Sequence, residues 1–387
     1  MKPTFQLVVL SAALLAAGGA VVSVVPCSAP AVADEAKQRP DVIVQIDAAG
    51  QKKRKPGKIE SADFEKVVFT AQGGKKADIP AAEIDVDGMQ WSDAPAGYED
   101  AVRALASGDA EGARRGFTDA LKEKDVKPDL REWVVEYANA GLGRAHLLAG
   151  DADKAADAFG KARTANPKSM ILDRILLGLA EAESTRGKGD AAARAADDLI
   201  AAAKTARRSA WELDAYLVKA KGKLAAGDFA GAGSAFEDAV RFADNAALTE
   251  KTDAGKQRLK RAGLEAAVKK GWAMVAKADS TKAQPDYDAA KSYLDSLVSK
   301  HPGEPNVAAA ATNAAGVARL AAGDAKGALR QFLATEVVHF QAREEVARSL
   351  WYQAECWKKL GNEQNRSDRL QDLKKSFPGS EWARKAQ

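Results

Sequence analysis

A short phrase recurs along this chain and limits what it can fold into: Gly-Asp, then alanine, an aromatic residue and alanine at fixed steps. Gly150-Asp151 is followed by Ala155, Phe159 and Ala162, which fall at i, i+4 and i+7 and so share one face of a helix. Pro167 then ends that helix, because proline has no amide hydrogen to donate and its ring collides with the turn before it. The spacing returns as Gly108-Asp109 with Ala113, Phe117 and Ala120, as Gly227-Asp228 with Ala232, Phe236 and Ala239, and as Gly323-Asp324 with Ala328, Phe332 and Thr335. Two copies carry substitutions: Tyr287, Ala290, Leu294, Leu297 and Pro302; and Gly361-Asn362 with Leu370, Leu373 and Pro378. Gly189-Asp190 fits with a slip of one residue, to Ala195, Leu199 and Ala202.

A second helix is expected upstream of each turn, with a small residue seven places before the glycine: Ala101, Gly143, Ala220, Gly316 and Ala354. Two helices can approach to the usual 8–10 Å only if the residue at the crossing is small. The phenylalanine then plugs the groove between that pair and its neighbour. Composition agrees, since 46% of residues are hydrophobic but only 6% aromatic, which points to cores of alanine and leucine, both strong helix formers.

With small, alanine, aromatic, alanine and proline at those positions, the pattern resembles the tetratricopeptide repeat. It covers roughly residues 96–386 in about seven units. The resemblance implies a mainly α protein, an α-solenoid of helical hairpins in which no unit hides both its faces alone. It also implies that the first helix of each pair lines a concave wall that holds a protein or peptide. On that implication the partner-binding positions are Tyr137, Asn139, Arg144, Tyr216, Lys221, Asn313 and Arg319, clamping a partner's backbone or carboxylates. Ala155, Phe159, Ala162, Phe117, Ala232, Phe236, Ala328 and Phe332 are the structural positions. The chain departs from the family in its turn spacings of 42, 39, 38, 58, 38 and 38 residues, against a usual period of about 34. Its fourth-position tryptophan is also missing. The 58-residue gap holds the polar stretch Asp244–Gly255 and a long helical run from Gln257 to Lys277, either an insertion or a degenerate further unit.

Residues 41–91 have a different texture. Segments 41–46, 58–60, 66–71, 76–79 and 83–86 read as strands, separated by turn signals at Gly50, Pro56-Gly57, Gly73-Gly74 and Asp87-Gly88. Four or five short antiparallel strands suggest a small SH3-like or Sm-like β module, similar to one that precedes helical repeats in some bacterial envelope proteins. Gln51–Lys55 is the most basic run and reads as a solvated hairpin tip. No aromatic stacking platform accompanies it, which argues against nucleic acid.

At the N-terminus, Lys2 precedes an apolar run from Phe5 to Val25, and Ala31-Val32-Ala33 supplies a signal-peptidase pattern. The expectation is a signal peptide at 1–33 and an exported, periplasmic or envelope-associated chain. The alternative is an uncleaved transmembrane anchor and membrane contact through this segment. The domain reading is therefore a leader at 1–33, a β module at 41–91, repeats one to four at 96–242, a linker and helical insertion at 243–282, and repeats five to seven at 283–386.

The 58 basic and 54 acidic residues are interspersed and read as solvated helix faces. Cys356, flanked by Trp351 and Trp357, reads as a buried thiol acting as a small hydrophobe. His146, expected at an interhelix packing site, lies far in sequence from His301 and His339, and no HExxH, CxxC, GxSxG or P-loop motif is present. The reading excludes a catalytic, metal or cofactor site and a small-molecule substrate. It leaves a non-enzymatic adaptor or scaffold of the bacterial cell envelope, with a structural component of an envelope assembly complex as the alternative. A more distant third is an accessory domain, or a binder of anionic polymer through Lys52–Lys55.

Overall fold

A computed structural model describes residues 39–47, 50–206, 208–250 and 252–386, so the expected leader lies outside the described residues. Four strands come first: β1 (Asp41–Ile46), β2 (Lys52–Ala62), β3 (Lys66–Ala71) and β4 (Lys76–Pro80). They form one antiparallel meander in the order β1-β2-β3-β4. The Lys-Arg run is not a hairpin tip but the first half of β2, paired with β1 from Gln45↔Lys53 to Ile43↔Lys55. Its side chains are held locally: Lys52 meets Asp85 at 2.6 Å and Lys53 meets Asp47 at 2.9 Å, while Arg54 and Lys55 donate to the uncharged amides of Gln90 and Gln45. Residues 83–86 do not add a strand; the stretch after β4 crosses the free edge of β1 with single bridges at Gln45↔Ile84 and, further on, Val42↔Gln90.

Seven hairpins follow: α1 (Tyr98–Ala106) with α2 (Ala110–Val126), α3 (Trp133–Leu148) with α4 (Ala152–Ala165), and α5 (Leu172–Thr185) with α6 (Gly189–Ala206). Next come α7 (Ser209–Ala225) with α8 (Phe229–Thr249), α9 (Asp253–Thr281) with α10 (Gln284–Lys300), and α11 (Pro305–Ala321) with α12 (Ala325–Val338). The series ends with α13 (Arg343–Lys359), α14 (Glu363–Ser376) and the short α15 (Glu381–Lys385).

The Gly-Asp turn stops one helix and starts the next. Gly150 takes φ +76°, a left-handed conformation that costs glycine little, and the amides of Gly150 and Asp151 return to Leu147 O and His146 O. The Asp151 carboxylate then caps α4 by accepting from Lys154 N at 3.2 Å. Asp109, Asp228, Asp324 and Asn362 cap α2, α8, α12 and α14 in the same way.

Phe117, Phe159, Phe236 and Phe332 are each 1% exposed or less. Phe159 lies between small residues of two first helices: a Cβ on Gly143 would stand 2.7 Å from the ring, and one on Gly178 of the next unit 2.2 Å from it. Gly141 on α3 plays the second part for Phe117, as do Ala273 on α9 for Phe236 and Cys356 on α13 for Phe332. Cys356 is thus the small hydrophobe expected, and burial pushes its thiol up to about 12.

Two units differ from the sequence-based register. In the third, the left-handed turn residue is Gly187, not Gly189. Counting from Gly187 removes the slip: Ala192, Ala196 and Leu199 occupy the alanine, aromatic and alanine places, and all are buried. With alanine in the aromatic place, α6 and α7 close up until a Cβ on Gly189 would stand 2.3 Å from Gly222 O. In the fifth unit the polar stretch from Asp244 to Gly255 is mostly helix, since α8 continues to Thr249 and α9 starts at Asp253. The turn uses Lys282 in the left-handed conformation, φ +54°. Gly271 faces Leu294 there, as Gly143 faces Phe159 and Gly316 faces Phe332. The separation is 23 residues instead of 16, so the two helices together carry about two extra turns at 3.6 residues each.

The sheet is fastened to the array. Met170, from the α4–α5 connection, is buried in the sheet's core beside Ile43, Ile59 and Phe69, and Phe64 enters the core of α5, α6 and α7. Trp91 stacks on Trp133 with centroids 4.9 Å apart. Arg131 grips Asp41 with both terminal nitrogens, at 2.8 and 2.7 Å, and reaches Asp93 as well.

Beneath this seam Glu136 is 4% exposed. Burial raises its carboxyl to about 7, a shift only partly offset by Asn166 and Ser169, and its Oε2 has no hydrogen-bond partner among the described residues. A folded-state pKa raised from the model-peptide value of 4.5 means that the folded chain holds this proton more tightly. Glu136 therefore favours the fold below about pH 4.5 and loses that advantage as pH rises through 7, for about 3 kcal/mol in all. Glu136→Gln is expected to gain about that much relative to wild type between pH 5 and pH 8 in urea titrations. A difference between the two proteins that is constant with pH would contradict it.

Candidate partner-binding groove

The long helix α9 forms one wall of an extended concavity. Three adjoining clefts of about 690, 390 and 450 Å³ run along it. The first two share Arg261 and Glu304, and the second and third share Trp272. The far wall of the central cleft comes from α11 and α13, through Val307, Ala310, Glu345 and Arg348. All three helices are first members of their hairpins, as a concave binding wall requires.

Helical geometry dictates which side chains face the groove. Arg258, Arg261, Glu265, Val268 and Trp272 follow steps of three and four and so form one stripe of α9. The opposite side of α9 is committed to packing: Lys270 pairs with Glu237 of α8 at 2.5 Å and Lys277 with Asp286 of α10 at 3.0 Å. In the groove, the Arg348 guanidinium lies 5.2 Å from the Trp272 ring centroid and 5.3 Å from that of Trp382. Arg348 is also tied to Glu345 at 3.0 Å. These contacts hold a cation and an aromatic surface in place at the cleft. Arg258, Lys260, Arg261 and Lys269 line the clefts and form no ion pair among the described residues.

The seven positions expected to bind a partner are not gathered into one site. Tyr137 lies under the β-sheet, edge-on to Trp91 and Trp133, its hydroxyl buried without a hydrogen-bond partner among the described residues; burial holds its pKa well above the usual range. Asn139 is buried and donates to Val135 O at 2.8 Å, at the edge of a separate cleft of about 600 Å³ against α4. Arg144 is exposed and meets Glu181 of α5 at 3.9 Å. Tyr216 donates to Glu212 at 3.3 Å and lies against Phe242, while Lys221 is exposed. Asn313 is fully buried and ties α11 to α13 by two 2.8 Å bonds to Glu345. Arg319 donates to Asp324 of its own turn at 3.3 Å. His146, expected in the packing, lines a cleft between α2 and α4; burial lowers its pKa.

The groove residues of α9 are not legible from the repeat, because the long gap reads equally as an insertion or a degenerate further unit. The available signal was Gly271-Trp272-Ala273, a small–aromatic–small step at a helix crossing.

No family profile and no curated relative matches the chain. Among solved structures, a tetratricopeptide repeat protein from Parabacteroides merdae is similar at 11% identity, over 76% of this chain and 98% of its own, with a TM-score of 0.49. PilW, a type IV pilus biogenesis factor, is similar at 17% identity over 75% of this chain and 96% of its own, with a TM-score of 0.38. A Rap protein complexed with competence and sporulation factor is similar at 12% identity over 74% of this chain and 76% of its own, with a TM-score of 0.43. With seven successive helical hairpins, most of them joined by a left-handed glycine and plugged by a buried aromatic or leucine, the described residues form an α-solenoid of helical hairpins headed by a small antiparallel sheet.

Proposed function

We propose that this chain is a non-enzymatic adaptor of the bacterial cell envelope that holds a protein or peptide in the groove along α9. The observation carrying this reading is the groove itself, a run of adjoining clefts along α9 with a Trp272–Arg348 contact at its centre. Placement in the envelope rests on the apolar run from Phe5 to Val25 with Ala31-Val32-Ala33 after it. The sheet is a cap on the array: Phe64 enters the core of α5, α6 and α7, and Lys52 and Lys53 are matched by Asp85 and Asp47.

The test is retention of a partner from envelope extract by the immobilised full chain, with identification by mass spectrometry. Wild type is expected to retain a protein that Lys269→Glu loses, while Lys326→Glu, an exposed change on α12, retains it. Identical retention by all three proteins would contradict the groove reading.

A further inference from the structure

An array of antiparallel hairpins has two edges. The turns inside the hairpins make one, and the connections from each hairpin to the next make the other. Among the described residues, the five large apolar side chains that are 63% exposed or more all stand on the second edge. Val126 ends α2, Leu248 lies one residue before the end of α8, Val337 and Val338 end α12, and Phe340 follows in the connection to α13. The sheet is fastened to this same edge, through Arg131 of the α2–α3 connection and Met170 of the α4–α5 connection. Leu248, Val337, Val338 and Phe340 continue the edge beyond it.

The spacing of these side chains decides what covers them. Val337, Val338 and Phe340 form one tip, and Leu248 stands two units earlier. Such a tip buries a few hundred Å² at most, against about 800 Å² per partner in a stable dimer. Protein interfaces also gather their anchors at a centre, whereas these are strung along an edge. A lipid bilayer takes separate anchors, because its surface is continuous and fluid. The chain also reaches a membrane from this side. The apolar run from Phe5 to Val25 ends 16 residues before Asp41, where β1 begins, and extended chain spans that in at most about 50–60 Å. A membrane holding the run is within reach of the edge that carries the sheet.

We infer that this edge of the solenoid rests on a lipid bilayer, with Val337, Val338 and Phe340 inserted among the lipids and Leu248 as a second anchor. The hairpin turns then point away from the membrane. Exposed charges on the neighbouring connections have both signs, Lys300, Lys374 and Lys375 with Glu304 and Glu344. Apolar insertion therefore supplies the attachment, rather than attraction to anionic lipid. The inference uses the envelope placement and is independent of what the α9 groove holds.

The experiment places a fluorescent amino acid at Val338, Leu248 or Leu148 of the full chain, mixed with neutral phosphatidylcholine vesicles whose acyl chains carry nitroxide quenchers. Leu148 is exposed at a hairpin turn, on the opposite edge. Quenching at Val338 and Leu248 is expected to exceed that at Leu148 at least threefold and to persist at high salt. An apolar leader alone tethers the chain without inserting one edge. In a Val337→Asp, Phe340→Asp double variant, both exposed positions, quenching at Val338 is expected to fall to the Leu148 level with Tm unchanged. Equal quenching at all three positions, none at Val338, loss at high salt, or quenching untouched by the double variant would overturn the inference. Concentration-dependent shielding of Val338 without vesicles would overturn it too, and assign the tip to a second copy of the chain. None of these outcomes alters retention of a partner by the groove, so the two readings fail separately.

Discussion

Phe159→Ala is expected to lower the free energy of unfolding by about 3–5 kcal/mol, the usual cost of emptying a buried aromatic site. The value belongs at the upper end because the ring fits between Gly143 and Gly178, which have no side chains to close the gap. The ring also joins two units, so its loss weakens the interface between them as well as the hairpin. In a stacked array stability is the sum of such nearest-neighbour terms, and the protection of α3, α4 and α5 against hydrogen exchange is expected to fall together. Urea titration and amide exchange check both parts. A Tm equal to wild type, or loss confined to α4, would show that the ring is not an interface plug.

Arg131→Met is expected to cost about 3–5 kcal/mol, because removing one member of a buried pair leaves the other charge uncompensated. Asp41 is 1% exposed. Burial opposes its charge, yet the Arg131 fork and the amides of Ser92 and Ile59 hold its carboxyl down to about 2. A depressed carboxyl stabilises the fold above its unfolded value of 3.8 and loses that contribution as pH falls toward 2. The variant is expected to destabilise the sheet and its seam with α3 at pH 7 and to differ less from wild type at pH 2.5. Replacing both residues, Asp41→Leu with Arg131→Met, is expected to recover part of the loss, since the fully buried Asp41 charge is no longer stranded, while Asp93 still loses its partner. Urea titrations at the two pH values read both effects. A single variant as stable as wild type at pH 7 would show that the fork contributes nothing.

Much of the array was legible because each recurring residue answers a backbone or packing demand. Glycine supplies the left-handed turn, aspartate caps the next helix, and the small residue admits the ring. Legibility failed where another residue met the same demand. Lys188 follows Gly187 in place of aspartate and masks that turn, so the Gly189-Asp190 pair stands out instead. Lys282 replaces glycine in the fifth turn, and longer helices move Leu294 to 23 residues beyond Gly271. The Lys52–Lys55 half of β2 was missed because lysine is a weak strand former, while its ion pairs with Asp47 and Asp85 are invisible in a linear reading. Asn313 was placed on the right element, but its direction toward Glu345 depends on how α11 and α13 lie against each other.

The groove follows from the same packing logic. First helices that lean on one another share a wall, and the longer α9 deepens it.

Site-specific photo-crosslinking of the full chain in cells tests the central claim most directly, with the reactive group placed in turn at Arg261, Glu265 and Lys269 of α9 and at Lys326 and Arg330 of α12. The account predicts a crosslinked partner protein from the three α9 positions and none from the two α12 positions. Equal crosslinking from both helices, or crosslinking from α12 alone, would contradict it.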